Sequence, residues 1–267
     1  MTKIYPFGYN PAAVGMMQSR DAANNAALFL KYASPGMKVL DVGCGPGSIT
    51  AGIAEALAPG QVTGIDIEPS QVALGEELAK SKGLDNCNFE TASIFELPYA
   101  DGCFDAVYGH TILMQFNDLA PVLAEIHRVL RPGGLVSFRE IDFGASLYYP
   151  EDSAFKELMS VFRRSIFHNQ GNPYVGRSLS GVLTEAGFDI EEALASFAQS
   201  STAEQKKGMY KAMTLLWEQA DFPKQAVELD WISEDDRSAM SERLADESSK
   251  PEYFNATTYV EVVGFKP

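Results

Sequence analysis

Cysteine, histidine, tryptophan and basic residues are all scarce in this 267-residue sequence. Its three cysteines, Cys44, Cys87 and Cys103, leave one thiol unmatched under any pairing and contain no CxxC spacing, which excludes a disulfide framework and a cysteine zinc site. No metal is expected. Three histidines, His110, His127 and His168, narrow the choice of an imidazole proton acceptor to a short list. Lys and Arg total 21 against 36 Asp and Glu, a formal charge of −15, so neither nucleic acid nor an anionic membrane is the expected partner. No run of about 18 apolar residues occurs, and Met1 to Asn10 carries Tyr, Pro, Gly and Asn where a secretory signal needs an apolar core. A reduced, cytoplasmic setting and a small-molecule partner are the resulting expectations, and oligomeric state is not readable.

What is present is a chain with 46% hydrophobic residues, enough for one generous core. Residues 11 to 35 read as one or two helices ending at Ser34-Pro35-Gly36. Lys38 to Val42 is an apolar strand that runs into a glycine loop, and Ile49, Ile53, Ala56 and Leu57 follow at helical spacing until Ala58-Pro59-Gly60. Gln61 to Asp66 is a second strand, Gln71 to Lys82 a helix with Gly83 as its C-cap, Asn88 to Glu90 a short third strand and Phe104 to Tyr108 a fourth. Leu119, Val122, Leu123, Ile126, Val129 and Leu130 mark an amphipathic helix before a fifth strand, Leu135 to Ile141. This alternation predicts an α/β fold: a mostly parallel sheet with helices on both faces and a ligand cleft at the carboxyl ends of the strands. Tyr148 to Glu185 turns helical, Gly187 to Phe197 supplies a strand, 202 to 250 is helical again, and Thr257 to Phe265 is a last strand, antiparallel at the sheet edge or interior. One domain, 1–267, is expected, with a helical cap at 1–35 and helical insertions at 147–178 and 200–252.

The stretch Asp41-Val42-Gly43-Cys44-Gly45-Pro46-Gly47-Ser48 carries the functional signal. A dinucleotide fingerprint asks for G-x-G-x-x-G, whereas here the third glycine comes one position early and Ser48 stands in its place. Asp41 lies inside the strand, where it reaches a cationic amino group or braces the loop. This motif resembles the first motif of class I S-adenosylmethionine-dependent methyltransferases, and Asp101-Gly102-Cys103-Phe104-Asp105-Ala106-Val107 resembles their fourth. The resemblance implies a Rossmann-like fold of seven strands, S-adenosylmethionine as cofactor and S-adenosylhomocysteine as product. It is greatest toward the ubiquinone-biosynthesis-like branch. Arg139 to Phe143 and Tyr148 to Glu151 are similar to enzymes that methylate small secondary metabolites, some of them thiol methyltransferases acting on gliotoxin-like dithiols.

The family's cofactor positions carry over one at a time. Gly43, Cys44 and Gly45 form the loop under the nucleoside. Asp66, 21 residues beyond Gly45, meets the ribose hydroxyls or helps cap the following helix, with Ile67 over adenine and Gln71 one turn on. Ser93 stands where the family commonly has an aspartate at the adenine edge, with Ile94 beside it. Arg20 resembles an arginine that pairs with the cofactor carboxylate, its alternative being a surface role, and Tyr9 closes over the methyl group. His110 borders cofactor and substrate, as a proton acceptor or as part of the cleft wall. Gln115 stands where relatives often have a histidine. Glu140 and Asp142 orient a substrate or cap helices, and Tyr148, Tyr149, Phe155, Phe162, Phe167, Trp217, Tyr253 and Phe254 build a lid or are core. With no obvious base, a thiol is favoured over a hydroxyl acceptor. The other class of reading keeps fold and cofactor but makes the chain a non-methylating cyclase or a regulatory partner. Nucleic-acid methylation is rejected: Tyr108-Gly109-His110-Thr111 replaces the [Asn/Asp]-Pro-Pro-aromatic loop, and Cys103 precedes the strand instead of following it.

Overall fold

The computed structural model describes residues 5–200 and 202–267. Seven strands form one sheet in the order β3-β2-β1-β4-β5-β7-β6. They are β1 (Val39–Val42), β2 (Val62–Asp66), β3 (Cys87–Thr91), β4 (Phe104–His110), β5 (Leu130–Tyr149), β6 (Asp189–Gln199) and β7 (Phe254–Phe265). The first five are parallel, and β7 is inserted antiparallel between β5 and β6. The last strand is therefore interior, which settles the alternative left by the sequence. This is the Rossmann-like architecture with seven strands expected from the sequence.

Helices cover both faces. The N-terminal segment gives three short ones, α1 (Pro11–Gln18), α2 (Ala22–Asn25) and α3 (Ala27–Tyr32), where one or two were expected. Asp21 caps α2 through the Asn24 N–H, and Ala26 at φ −126° breaks the run before α3 starts. Next come α4 (Ser48–Leu57), α5 (Pro69–Lys82) and α6 (Ala120–Val129), the crossovers of the parallel half. Pro69 at the first turn and Gly83 at φ +66° bound α5 as its sequence predicts. The remaining helices are α7 (Ala154–His168), α8 (Val175–Glu185), α9 (Ala203–Gln219), α10 (Asp221–Glu228) and α11 (Glu234–Ser248).

β5 is much longer than the expected Leu135 to Ile141. Its second half pairs with the start of β7, Leu147 opposite Ala256 and Tyr149 opposite Phe254, so the helix expected from Tyr148 begins only at Ala154. The chain order reverses between β1 and β4, and the carboxyl ends of these two strands open the crevice where ligands of such folds bind. β1 is buried along its whole length, as a central parallel strand must be. Phe138 on β5 is fully buried in the larger of two apolar clusters, and its ring lies where a side chain on Gly109 would go. Replacing Phe138 by Ala is predicted to cost about 3–5 kcal/mol, read as a lower urea midpoint with an unchanged slope.

Candidate active site

The loop after β1 approaches its neighbours too closely for side chains. Gly43 (φ +70°) would place a Cβ 2.7 Å from the Ile112 Cδ1, and Gly47 (φ +79°) would drive one into the Phe89 ring. Two carboxylates fix this loop from opposite sides. Asp66, at the end of β2, accepts the Gly45 N–H at 2.9 Å through Oδ2 and the Glu68 N–H at 3.0 Å through Oδ1. Each oxygen keeps a second lone pair. Asp41 is buried and accepts the Thr50 hydroxyl at 2.6 Å, tying β1 to α4. It is the bracing reading that the Asp41 geometry supports. The cap of α5 is Glu68, not Asp66, since Glu68 accepts the Ser70 N–H.

Above the loop lies a cavity of about 370 Å³. Of the residues singled out in the sequence, Tyr9, Arg20, Gly43, Gly45, Asp66, Ile67, Gln71, Ser93, Ile94, His110 and Gln115 line it. Asp41 and Cys44 face a smaller adjoining hollow that shares Arg20, Gly43, Gly45 and His110. Burial pushes the Cys44 thiol well up, so it stays protonated. Ser93 accepts the Phe95 N–H at 3.2 Å, a local turn that presents its hydroxyl from the loop after β3. Sequence reasoning did not single out Tyr5, Met17, Phe95, Thr111, Ile112 and Phe116, which also line the cavity.

Two observations bear on whether a nucleoside amino acid fits. Gln71 is 1% exposed, and its Oε1 has no hydrogen-bond partner among the described residues, an acceptor facing a cavity and awaiting a donor. At the other end Arg20 has no carboxylate within ion-pair distance among the described residues, only the Thr111 hydroxyl at 3.3 Å and the His110 ring at 3.4 Å. The residues therefore match a ligand with hydroxyls at one end and an anion at the other.

Several expectations need correction. Glu140 does not face a substrate: it is fully buried, and its carboxylate accepts the N–H groups of Ile112, Leu113 and Met114, holding the 3-10 turn Leu113–Gln115 that forms one cavity wall. Asp142 accepts the Gly144 N–H and is paired twice by Arg177, at 2.6 and 2.7 Å. Glu140 takes the capping alternative, while Asp142 braces the irregular stretch of β5 and pairs with α8 through Arg177. His110 is 6% exposed, with Arg20 at one ring nitrogen and Arg139 3.3 Å from the other. Burial, Arg20 and Arg139 hold its pKa well below 6.5, so it is a neutral part of the wall. None of the eight proposed lid aromatics lines the cavity. Phe155, Phe162 and Trp217 are core, joining the helices to one another. The insertions act at one remove instead: Phe7 stacks on Phe162 at 4.2 Å and the Phe222 N–H donates to the Pro6 carbonyl, which holds Tyr5 and Tyr9 over the cavity.

A family model described as "Methyltransferase domain" matches residues 33–187. The chain belongs to this methyltransferase family. It is 37% identical over 170 residues to an "Uncharacterized methyltransferase" of Schizosaccharomyces pombe, covering 61% of this chain and 60% of that one. It is 33% identical over 216 residues to a "Probable methyltransferase" of Aspergillus luteorubrus, covering 75% and 74%. The YcgJ protein of Bacillus subtilis shares the fold, with a TM-score of 0.58 at 19% identity over 91% of this chain and 98% of that one.

The buried acids of this methyltransferase-family chain make its stability depend on pH. Burial raises Asp41 to about 7, with the Thr50 hydroxyl opposing; Glu140 is likewise raised to about 7 by burial. A raised folded pKa means that the folded chain holds the proton more tightly than the unfolded one. The Asp41 contribution is therefore present at low pH and is lost as pH rises through about 7. Asp41→Asn, which does not ionise, is predicted to gain stability relative to the parent between about pH 5 and 8, the difference levelling off above 7. Paired urea titrations across that range measure it.

Proposed function

We propose that the chain transfers a methyl group from S-adenosylmethionine to a small-molecule acceptor. The observation that carries this reading is the pair of polar ends in one cavity, Gln71 Oε1 beside the Asp66 carboxylate at one side and, at the other, the Arg20 guanidinium, which has no carboxylate partner among the described residues. Asp66 and Gln71 would accept the ribose hydroxyls, Ile67 and Ile94 would flank the base beside Ser93, and Arg20 would pair with the amino-acid carboxylate. When bound, S-adenosylmethionine supplies a sulfonium-activated methyl. The chain's own task is alignment and exclusion of water, to which Tyr5, Tyr9 and Phe116 around the cavity contribute.

A thiol acceptor is favoured over an alcohol, and a secondary metabolite is the proposed source. Support comes from the ring nitrogens of His110, both engaged, and from tyrosines whose ionisation burial opposes. With no free proton acceptor in this stretch of wall among the described residues, the acceptor must ionise largely unaided, and thiols do so near pH 8.5. We read the chain as one unit, 1–267, with its cap at 1–35 and insertions at 147–178 and 200–252. Its acidic surface and the lack of a membrane-spanning helix among the described residues agree with a small-molecule enzyme of the cytoplasm.

Two outcomes are expected. Incubation with S-adenosylmethionine and a panel of thiols, phenols and amines gives a mass gain of one methyl on a thiol; methylation confined to nucleic acid sinks the reading. Arg20→Ala weakens S-adenosylmethionine binding about 10- to 100-fold by calorimetry, the scale of a lost charged hydrogen bond. An unchanged affinity removes Arg20 from the carboxylate.

A further inference from the structure

Thr111 follows the last residue of β4 with φ +53°, a region that a branched side chain enters only when its surroundings hold it there. Three contacts do so. Its N–H donates to the Arg139 carbonyl at 2.9 Å, and its Oγ1 lies 3.2 Å from His110 Nδ1 and 3.3 Å from Arg20 Nη1. Strain stored at the mouth of the crevice, next to the loop of β1, marks a side chain that is aimed.

Hydrogen counting says where. Both ring nitrogens of His110 face a guanidinium, Nδ1 at 3.4 Å from Arg20 Nη1 and Nε2 at 3.3 Å from Arg139 Nη1, and a guanidinium only donates. Arg20 Nη1 has the Thr111 hydroxyl as a nearer acceptor at 3.3 Å, whereas Arg139 Nη1 has Nε2 alone among the described residues, so Nε2 holds the lone pair and the neutral ring carries its proton on Nδ1. The Nδ1–H and the Arg20 N–H then both point at Thr111 Oγ1 and fill its acceptor sites. The hydroxyl's own proton is left for the cavity that Thr111 lines. The charged and titratable groups around it are Arg20 and Arg139 on either side of His110, Tyr5 and Tyr9 across the cavity, and Asp66 beneath the loop. Glu140, under the adjacent turn, is occupied by three backbone N–H groups. This corner of the site is thus a donor backed by a cation.

We infer that Thr111 binds the acceptor atom, its hydroxyl donating to an acceptor that enters as an anion, a thiolate or an ionised phenol, beside Arg20. The inference rests on the methyl-transfer reading above and narrows it. The acceptor gives its proton to solvent before transfer. Its lone pair then forms the bond to the methyl carbon while the sulfonium carbon–sulfur bond breaks and leaves its electron pair on sulfur. Thr111 keeps its proton throughout. An amine suits the corner poorly, because its ammonium form has no lone pair for the hydroxyl and its neutral form offers only the lone pair needed for attack.

The test titrates para-nitrophenol, whose anion alone is yellow, into the full chain saturated with S-adenosylhomocysteine. The parent is expected to bind the anion and to lower the probe's ionisation midpoint by about one pH unit. Thr111→Ser keeps both properties. Thr111→Val loses about 10- to 100-fold in affinity together with the shift, while S-adenosylhomocysteine still binds within about threefold of the parent. Thr111→Ala, less crowded at positive φ, repeats the loss if the Val variant does not fold. A parent that binds S-adenosylhomocysteine yet takes up the probe in neutral form or not at all overturns the inference, as does a Val or Ala variant that matches the parent. Failure of the parent to bind S-adenosylhomocysteine overturns the methyl-transfer reading itself.

Discussion

The carboxylate of Asp66 accepting the Gly45 N–H is the contact on which the rest of the site depends. It joins the end of β2 to the loop after β1, and it does so where three glycines at positive φ let the backbone turn without side chains. Remove the clamp and the loop loses the side-chain anchor that holds Gly45 on the cavity side, while Asp41 and Thr50 hold its far side. Because β1 and β4 are neighbours, the same loop also sets the height of Ile112 and hence of the turn that Glu140 holds. The floor and this wall of the cavity are therefore one connected object, built by the half-buried Asp66 and the buried Glu140 acting on backbone N–H groups.

Much of this was legible in the sequence, and the reasons are specific. The glycine spacing fixes backbone conformation directly, and Asp66 lies at the distance that a strand–helix–strand unit imposes. The β5 boundary was not legible, since its second half exists only through pairing with β7 more than 100 residues away. The choice between lid and core was not legible for a related reason. Phe155, Phe162 and Trp217 look alike whether they face a pocket or a neighbouring helix, and only packing tells these apart. Tyr5 and Phe116 reach the cavity through tertiary placement that no local pattern encodes. Thr111 gives no sequence signal, because a positive φ at a threonine is imposed by its surroundings.

The distribution of charge gives the molecule its chemical character. The chain carries a formal −15, yet the cavity corner at Thr111 gathers Arg20 and Arg139 around a neutral His110. Arg139 is balanced by Glu261 at 3.1 Å on its far side, over the Tyr259 ring, so the net positive charge is left at Arg20. An acidic surface with a cationic corner draws in one end of a small zwitterionic ligand and disfavours extended polyanions.

The most direct test of the central claim is a crystal structure with S-adenosylhomocysteine. The account predicts one molecule in the 370 Å³ cavity, its ribose hydroxyls on Asp66 and Gln71, its carboxylate on Arg20 and its sulfur turned toward Thr111. A ligand bound elsewhere, or in this cavity with its carboxylate away from Arg20 and its ribose away from Asp66, would contradict it.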